Sequence, residues 1–216
     1  ALAGGVALGA SYSRGALIGA AVAIATILYV SFSGRIRQKI AWLLVAAVVV
    51  VAGSVYVLRD SEFVANVILH DSPTTGAMID SNTAHVDSLA KGVSLVATKP
   101  LGSGIGSTGS ASLTGNKPLI IENQYLFIAH EVGWVGLLLF VWLFVEIMKR
   151  LWISKKSFLA LGVFASGLGI AVIGLFLPVW ADDTVSIVWW GLAAVGIGSM
   201  ELGIQKMTKG KKKHDS

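Results

Sequence analysis

Five apolar runs dominate this sequence, and each is long enough to cross a bilayer. They cover residues 15–32, 40–58, 124–148, 158–180 and 185–205. A helix of about 20 residues, rising 1.5 Å per residue, matches roughly 30 Å of hydrocarbon. In lipid every backbone polar group needs a partner within the protein, so runs of this kind fold as helices. The expected fold class is all-α: a polytopic transmembrane helical bundle.

Charge supports this reading. Only 13% of the residues are charged, against about 25% in soluble domains, which leaves too little polar surface for a dissolved globule. The formal charge is +5, a balance that in a soluble protein suggests nucleic acid. Here the basic residues sit in clusters beside the apolar runs. Arg35, Arg37 and Lys39 form the first cluster, and Lys149, Arg150, Lys155 and Lys156 the second. Lys206, Lys209, Lys211, Lys212 and Lys213 form the third. They fall on alternate connections, hence on one side, which the positive-inside rule makes cytoplasmic. The partner that these clusters point to is membrane lipid, with no nucleic acid. The expected location is the cytoplasmic (inner) membrane, multi-pass, with a cytoplasmic C-terminal tail. Trp42, Trp152, Trp180, Trp189 and Trp190 lie near span ends, as an interfacial belt does, whereas Trp134 and Trp142 read as packing residues.

Residues 59–123 then form one long extracytoplasmic loop. Connections above about 12–15 residues are usually functional or disordered, and this one carries helical patterns. Residues 60–70 read as a short interfacial helix with Phe63, Val64, Val67 and Ile68 on its apolar face. A second helix is predicted over 82–98, with the stripe Val86, Leu89, Ala90, Val93 and Val96, and with Pro100 past its end. The first ten residues are apolar but too short to span, and they lack the basic start of a signal peptide. They read as the tail of an earlier span, so residues 1–216 are expected to be a single transmembrane domain, the C-terminal part of a longer chain.

A few polar residues stand out against this background. Arg14, within Ser11-Tyr-Ser-Arg-Gly15, lies on the outer side against the positive-inside trend. It reads either as a snorkelling interfacial residue or as an anion clamp. A guanidinium forks two parallel hydrogen bonds onto a phosphate, and Ser13 adds a donor. Glu122 and Asn123 open the third span. On a straight helix, His130 and Glu131 lie roughly 10–14 Å deeper than Glu122, where a charge needs a partner or a wet cavity. His85 is a polar surface residue or a general base, since its ordinary pKa of about 6.5 suits proton transfer at neutral pH.

Gly104-Ile-Gly-Ser-Thr-Gly109 has the form G-x-G-x-x-G, but no βαβ pattern surrounds it. Gly104 and Gly106 are read instead as allowing a tight turn or a close approach to substrate. The absence of cysteine excludes disulfides, thiolate metal sites and cysteine nucleophiles. Four scattered histidines have no metal-ligand spacing. No metal and no cofactor are expected.

In their order, these pieces resemble the C-terminal core of the O-antigen ligase and polymerase family of bacterial membrane proteins. Ser11-Tyr-Ser-Arg-Gly-Ala16 opens a span, similar to the family's Ser-Arg-Gly motif. An amphipathic loop helix runs into Lys99-Pro-Leu-Gly-Ser-Gly-Ile-Gly106, which resembles the family's Pro-Leu-x-Gly-x-Gly segment. Glu122-Asn-Gln-Tyr-Leu126 and Glu131-Val-Gly133 follow, and then an apolar span.

The resemblance implies a GT-C-like membrane glycosyltransferase that needs neither a nucleotide sugar nor a metal. Such an enzyme takes a glycan from an undecaprenyl-pyrophosphate-linked donor at the outer face of the membrane. It passes that glycan to a glycan or lipid-linked sugar acceptor. By resemblance Arg14 holds the pyrophosphate, and Glu122, Asn123 and His85 form one acceptor site. Ligases of the family carry His-Asn where this chain has Glu122-Asn123, so the general base stays open between Glu122 and His85. A rival reading is a transporter or flippase of a lipid-linked or anionic substrate, with His130 and Glu131 lining its path. A third, a non-catalytic anchor, has no use for an outer-face arginine or a structured glycine-rich loop.

Overall fold

A computed structural model describes residues 5, 6, 8, 10, 13–57, 81–114 and 118–214. The helix expected over 60–70 lies outside the described residues. Within them the chain is all-helical: α1 (Arg14–Ser31), α2 (Gly34–Val57), α3 (Ser81–Thr98), α4 (Gln124–Ile153), α5 (Phe158–Ile173) and α6 (Asp183–His214), with short 3-10 turns at Ser110–Thr114 and Val179–Ala181. By length and composition, α4 is the one described helix able to cross a membrane. Gly15–Ser31, Phe158–Ile173 and Asp183–Gly198 are shorter apolar helices.

The core lies where α4, α5 and α6 meet, at Met148, Leu151, Ala160, Val163, Trp189 and Ala193. Close approach is made possible by missing side chains. A Cβ on Gly169 of α5 would collide with the backbone carbonyl oxygen of Gly19 on α1, and one on Gly167 would fall 2.6 Å from the Trp189 ring. Small residues of this kind are what bring apolar helices together where burial alone gives no drive.

The tryptophans divide differently from the sequence expectation. Trp189 is buried, and its indole N–H donates to Val163 O at 3.1 Å. With Trp180, Trp190, Phe140 and Phe144 it forms an aromatic cluster, its centroid 5.1 Å from that of Trp180 and 4.9 Å from that of Trp190. Trp134 and Trp142, expected to pack, are exposed. A satisfied indole N–H lets a tryptophan go inside, whereas the expected belt rested only on proximity to run ends.

Two further differences set the architecture. Helix α5 stops at Ile173, well before the end of its apolar run at Trp180. Residues 174–177 turn instead, and Pro178 has no N–H to continue a helix. The carbonyls freed at this end are capped by the start of α4. Gln124 N–H donates to Gly174 O (2.8 Å), Asn123 Nδ2 to Leu175 O (2.9 Å) and the Tyr125 hydroxyl to Ala171 O (2.8 Å).

The second difference is a break in α4 at Gly133, where φ is 74° and ψ −179°. On a straight helix Gln124 and Phe144 would be about 30 Å apart. Here both reach Trp180: its backbone N–H donates to Gln124 Oε1 at 2.7 Å, and its ring lies 5.8 Å from that of Phe144. Residues 124–132 therefore fold back alongside 134–153, towards the end of α5. The break lies beyond Glu131, so the spacing of Glu122 and Glu131 along the helix is kept, and what changes is the direction of the segment that carries them.

At the other end of this corner Asp182 caps α6. Its Oδ1 accepts the Thr184 hydroxyl and the N–H groups of Thr184 (2.8 Å) and Val185 (3.3 Å). The Thr184 hydroxyl, with those two amides, holds the Asp182 carboxyl below the usual carboxylate range.

Candidate functional site

The helix ends gather the chain's polar residues. Asn123 is the N-cap of α4: its Oδ1 accepts the N–H groups of Tyr125 and Leu126, both at 3.0 Å. Its amide nitrogen is the donor to Leu175, so Asn123 is buried and tied at both ends. Glu122, beside it, is half-buried. Its backbone N–H donates to Ser88 Oγ at 3.0 Å, and Ser88 Oγ donates to Ile120 O at 3.2 Å. Ser88 lies on α3, three residues after His85, and residues three apart share a helix face. Gly92, a turn further along that face, packs on Ile121 and Leu126. The middle of α3 is thus fastened to the residues that lead into α4, and His85 lies one turn earlier on the same helix. Ser88 is the residue that ties α3 to the start of α4, and sequence reasoning missed it because a serine in a loop helix carries no signal of its own.

Helix α1 presents its N-terminus to the same end. Ser13 caps it, accepting Ala16 N–H at 3.2 Å, and Arg14 is its first residue. Gly15 meets Leu177 and Ile173 at 3.4 and 3.6 Å from the position of its missing Cβ. Those residues adjoin Gly174 and Leu175, which bond the start of α4. The starts of α1 and α4 therefore meet the 173–177 turn at the end of α5, with the middle of α3 against the residues before α4.

The glycine-rich loop docks elsewhere, on the break in α4. Gly133 lacks the side chain that would strike Pro100 O at 2.6 Å, and Gly102 lacks the one that would strike Glu131 O at 2.6 Å. Back to back, the two glycines let loop and helix backbones touch. A broken helix frees N–H and C=O groups, and the loop takes them up. Trp134 N–H donates to Pro100 O (3.0 Å), Ser103 N–H to His130 O (2.7 Å) and Gly104 N–H to Glu131 O (3.0 Å). The Glu131 side chain completes the clasp, its Oε1 accepting Gly106 N–H at 2.8 Å. The amides of Gly104 and Gly106 are thus committed to the helix, and the G-x-G-x-x-G form is a docking device. His130, deep against this clasp, is 2% exposed. No group of three or more His, Asp or Glu residues among the described residues is arranged to hold a metal ion.

The class this arrangement defines, among the described residues, is an all-helical fold with one helix long and apolar enough to cross a membrane. Residues 1–141 match the family model described as O-antigen ligase, and the chain belongs to that family. Membership places it in the inner membrane, among the glycosyltransferase-like enzymes of surface polysaccharide assembly. No curated protein and no solved structure matches it.

Proposed function

We propose that this chain belongs to a polytopic, GT-C-like glycosyltransferase that moves a glycan from an undecaprenyl-pyrophosphate carrier to a sugar acceptor. The arrangement that supports this reading is the meeting of the starts of α1 and α4 at the 173–177 turn, with α3 tied to the Glu122 backbone through Ser88. Arg14 stands at the first position of α1, at the positive end of the helix dipole. A cation there costs stability until an anion arrives, which suits a pyrophosphate group. As the bond from the sugar to the pyrophosphate oxygen breaks, negative charge grows on the leaving group and the guanidinium stabilises it. The acceptor hydroxyl attacks the same carbon and gives its proton to Glu122 or His85. Neither step calls for a metal. The outer face of the membrane is the side on which these helix ends would lie.

The test uses the full-length protein reconstituted with an undecaprenyl-pyrophosphate-linked glycan. Wild type should release carrier pyrophosphate and extend the acceptor, and Arg14→Ala should lose about two orders of magnitude in turnover while remaining folded. His85→Ala and Glu122→Gln would separate the two candidate bases. Movement of the carrier across the bilayer with no bond broken would replace this reading by transport.

A further inference from the structure

Helix α3 has three faces. Ser88, Gly92 and Val96 pack inwards, the last 2% exposed. Asp87, Lys91, Ser94 and Thr98 form a polar stripe. The remaining face is apolar and uncovered: Val86 is 64%, Leu89 45% and Val93 53% exposed. The apolar stripe read from the sequence is therefore, apart from Val96, directed outwards.

The loop that follows has the same character. Its amides at Ser103, Gly104 and Gly106 bond the helix, while Leu101 and Ile105 are turned out, 89% and 87% exposed. The bond from Trp134 to Pro100 sets Leu101 beside the exposed apolar surface of α4, which continues through Val135 and Leu138. The surface of the membrane-crossing helix and that of the loop are thus continuous. Lys91 and Lys99 flank it, with Asp87 the one acid between Val86 and Lys99.

We infer that α3 and the glycine-rich loop rest on the bilayer, with Val86, Leu89, Val93, Leu101 and Ile105 dipping into the outer leaflet. A helix with one apolar face and a basic flank lies in the plane of an anionic membrane surface, held by apolar area and by attraction to headgroups. This arrangement fixes the level of the clasp, and through Ser88 that of Glu122, at the lipid surface. The inference rests on the membrane placement and is independent of the glycan-transfer reading.

The chain has no cysteine, so single cysteines can report their surroundings. Leu89→Cys, Val93→Cys and Ile105→Cys would each carry a nitroxide in the full chain, reconstituted in phosphatidylethanolamine–phosphatidylglycerol nanodiscs. Ser94→Cys and Leu138→Cys are the references. Collision rates with oxygen, which concentrates in lipid, and with a water-soluble nickel chelate give the result. Oxygen should dominate at 89, 93, 105 and 138, and nickel at 94. Nickel dominating at 89, 93 and 105 while oxygen dominates at 138 overturns the platform alone. Low access to both at 89 and 93 also overturns it, because protein then covers the face. Nickel dominating at 138 as well removes the membrane placement itself.

Discussion

The two segments of α4 on either side of Gly133 follow opposite rules. In 124–132 the polar groups of Gln124, Tyr125 and Glu131 each reach another element, and Ala129 and His130 are buried. In 134–145 the outward side chains are large and apolar, with Val135 and Leu138 each 66% exposed. One segment is a scaffold on which α3, the loop and α5 assemble. The other is a shaft that packs one side on α5 and α6 and leaves an apolar side uncovered. A single apolar run can hold both because hydropathy reports what a segment tolerates around it, and not which partners it meets.

Substitutions on the two sides should differ accordingly. Gly133→Ala should have the largest effect, about 3 kcal/mol or more, because an alanine there is strained by its φ and strikes Pro100 O. A thermal melt of the detergent-solubilised protein checks it, and an unchanged melt would mean that α4 runs straight. Glu131→Ala should cost about 1.5–2 kcal/mol by leaving Gly106 N–H without its charged acceptor. Glu131→Gln keeps an acceptor oxygen and should recover most of that. Faster amide exchange at Gly106 in the alanine variant alone would mark the clasp as the cause.

Asn123→Ala removes the cap of the first segment and should cost about 1 kcal/mol, read from the same melts. Leu138→Ala, on the shaft, should stay within about 0.5 kcal/mol, since that side chain contacts surroundings as apolar as itself. A larger loss would place protein against that face. The smallest effect concerns the corner between α5 and α6. Asp182 has a depressed folded-state pKa, so its stabilisation is full above the ordinary carboxylate pKa and fades as pH falls through the folded value. The acid-side loss of stability should shrink in Asp182→Asn.

Much of the helical layout was legible because periodicity and run length are local. The sequence reading placed the second loop helix at 82–98, and α3 is Ser81–Thr98. The run at 15–32 became Arg14–Ser31. The break at Gly133 was not legible, since a glycine in an apolar helix is ordinarily tolerated at about 1 kcal/mol. Its conformation is set by Pro100 and Gly102, far away in sequence. The early end of α5 had a local sign in Pro178, masked by the apolar 175–177. At the candidate site, Glu122 and Asn123 were found as a pair at a helix start. The capping role of Asn123 and the bridging role of Ser88 depend on partners that no spacing rule supplies.

The clasp between loop and helix also bears on the order in which the chain assembles. Gly106 and Glu131 are 25 residues apart, so their contact closes a short stretch of polypeptide, and every partner is present once α4 has begun to emerge. The approach of Gly19 to Gly169 joins segments on either side of that stretch and has to wait for α5. Each doubling of a closed loop adds only about 0.6 kcal/mol of entropy, so what separates the two events is synthesis order more than cost. Nascent chains halted after α4 should already protect the Gly106 amide while the small-residue seam is still open. Arg14 opens the helix that carries that seam, so its end of the protein is complete only once α5 has been made.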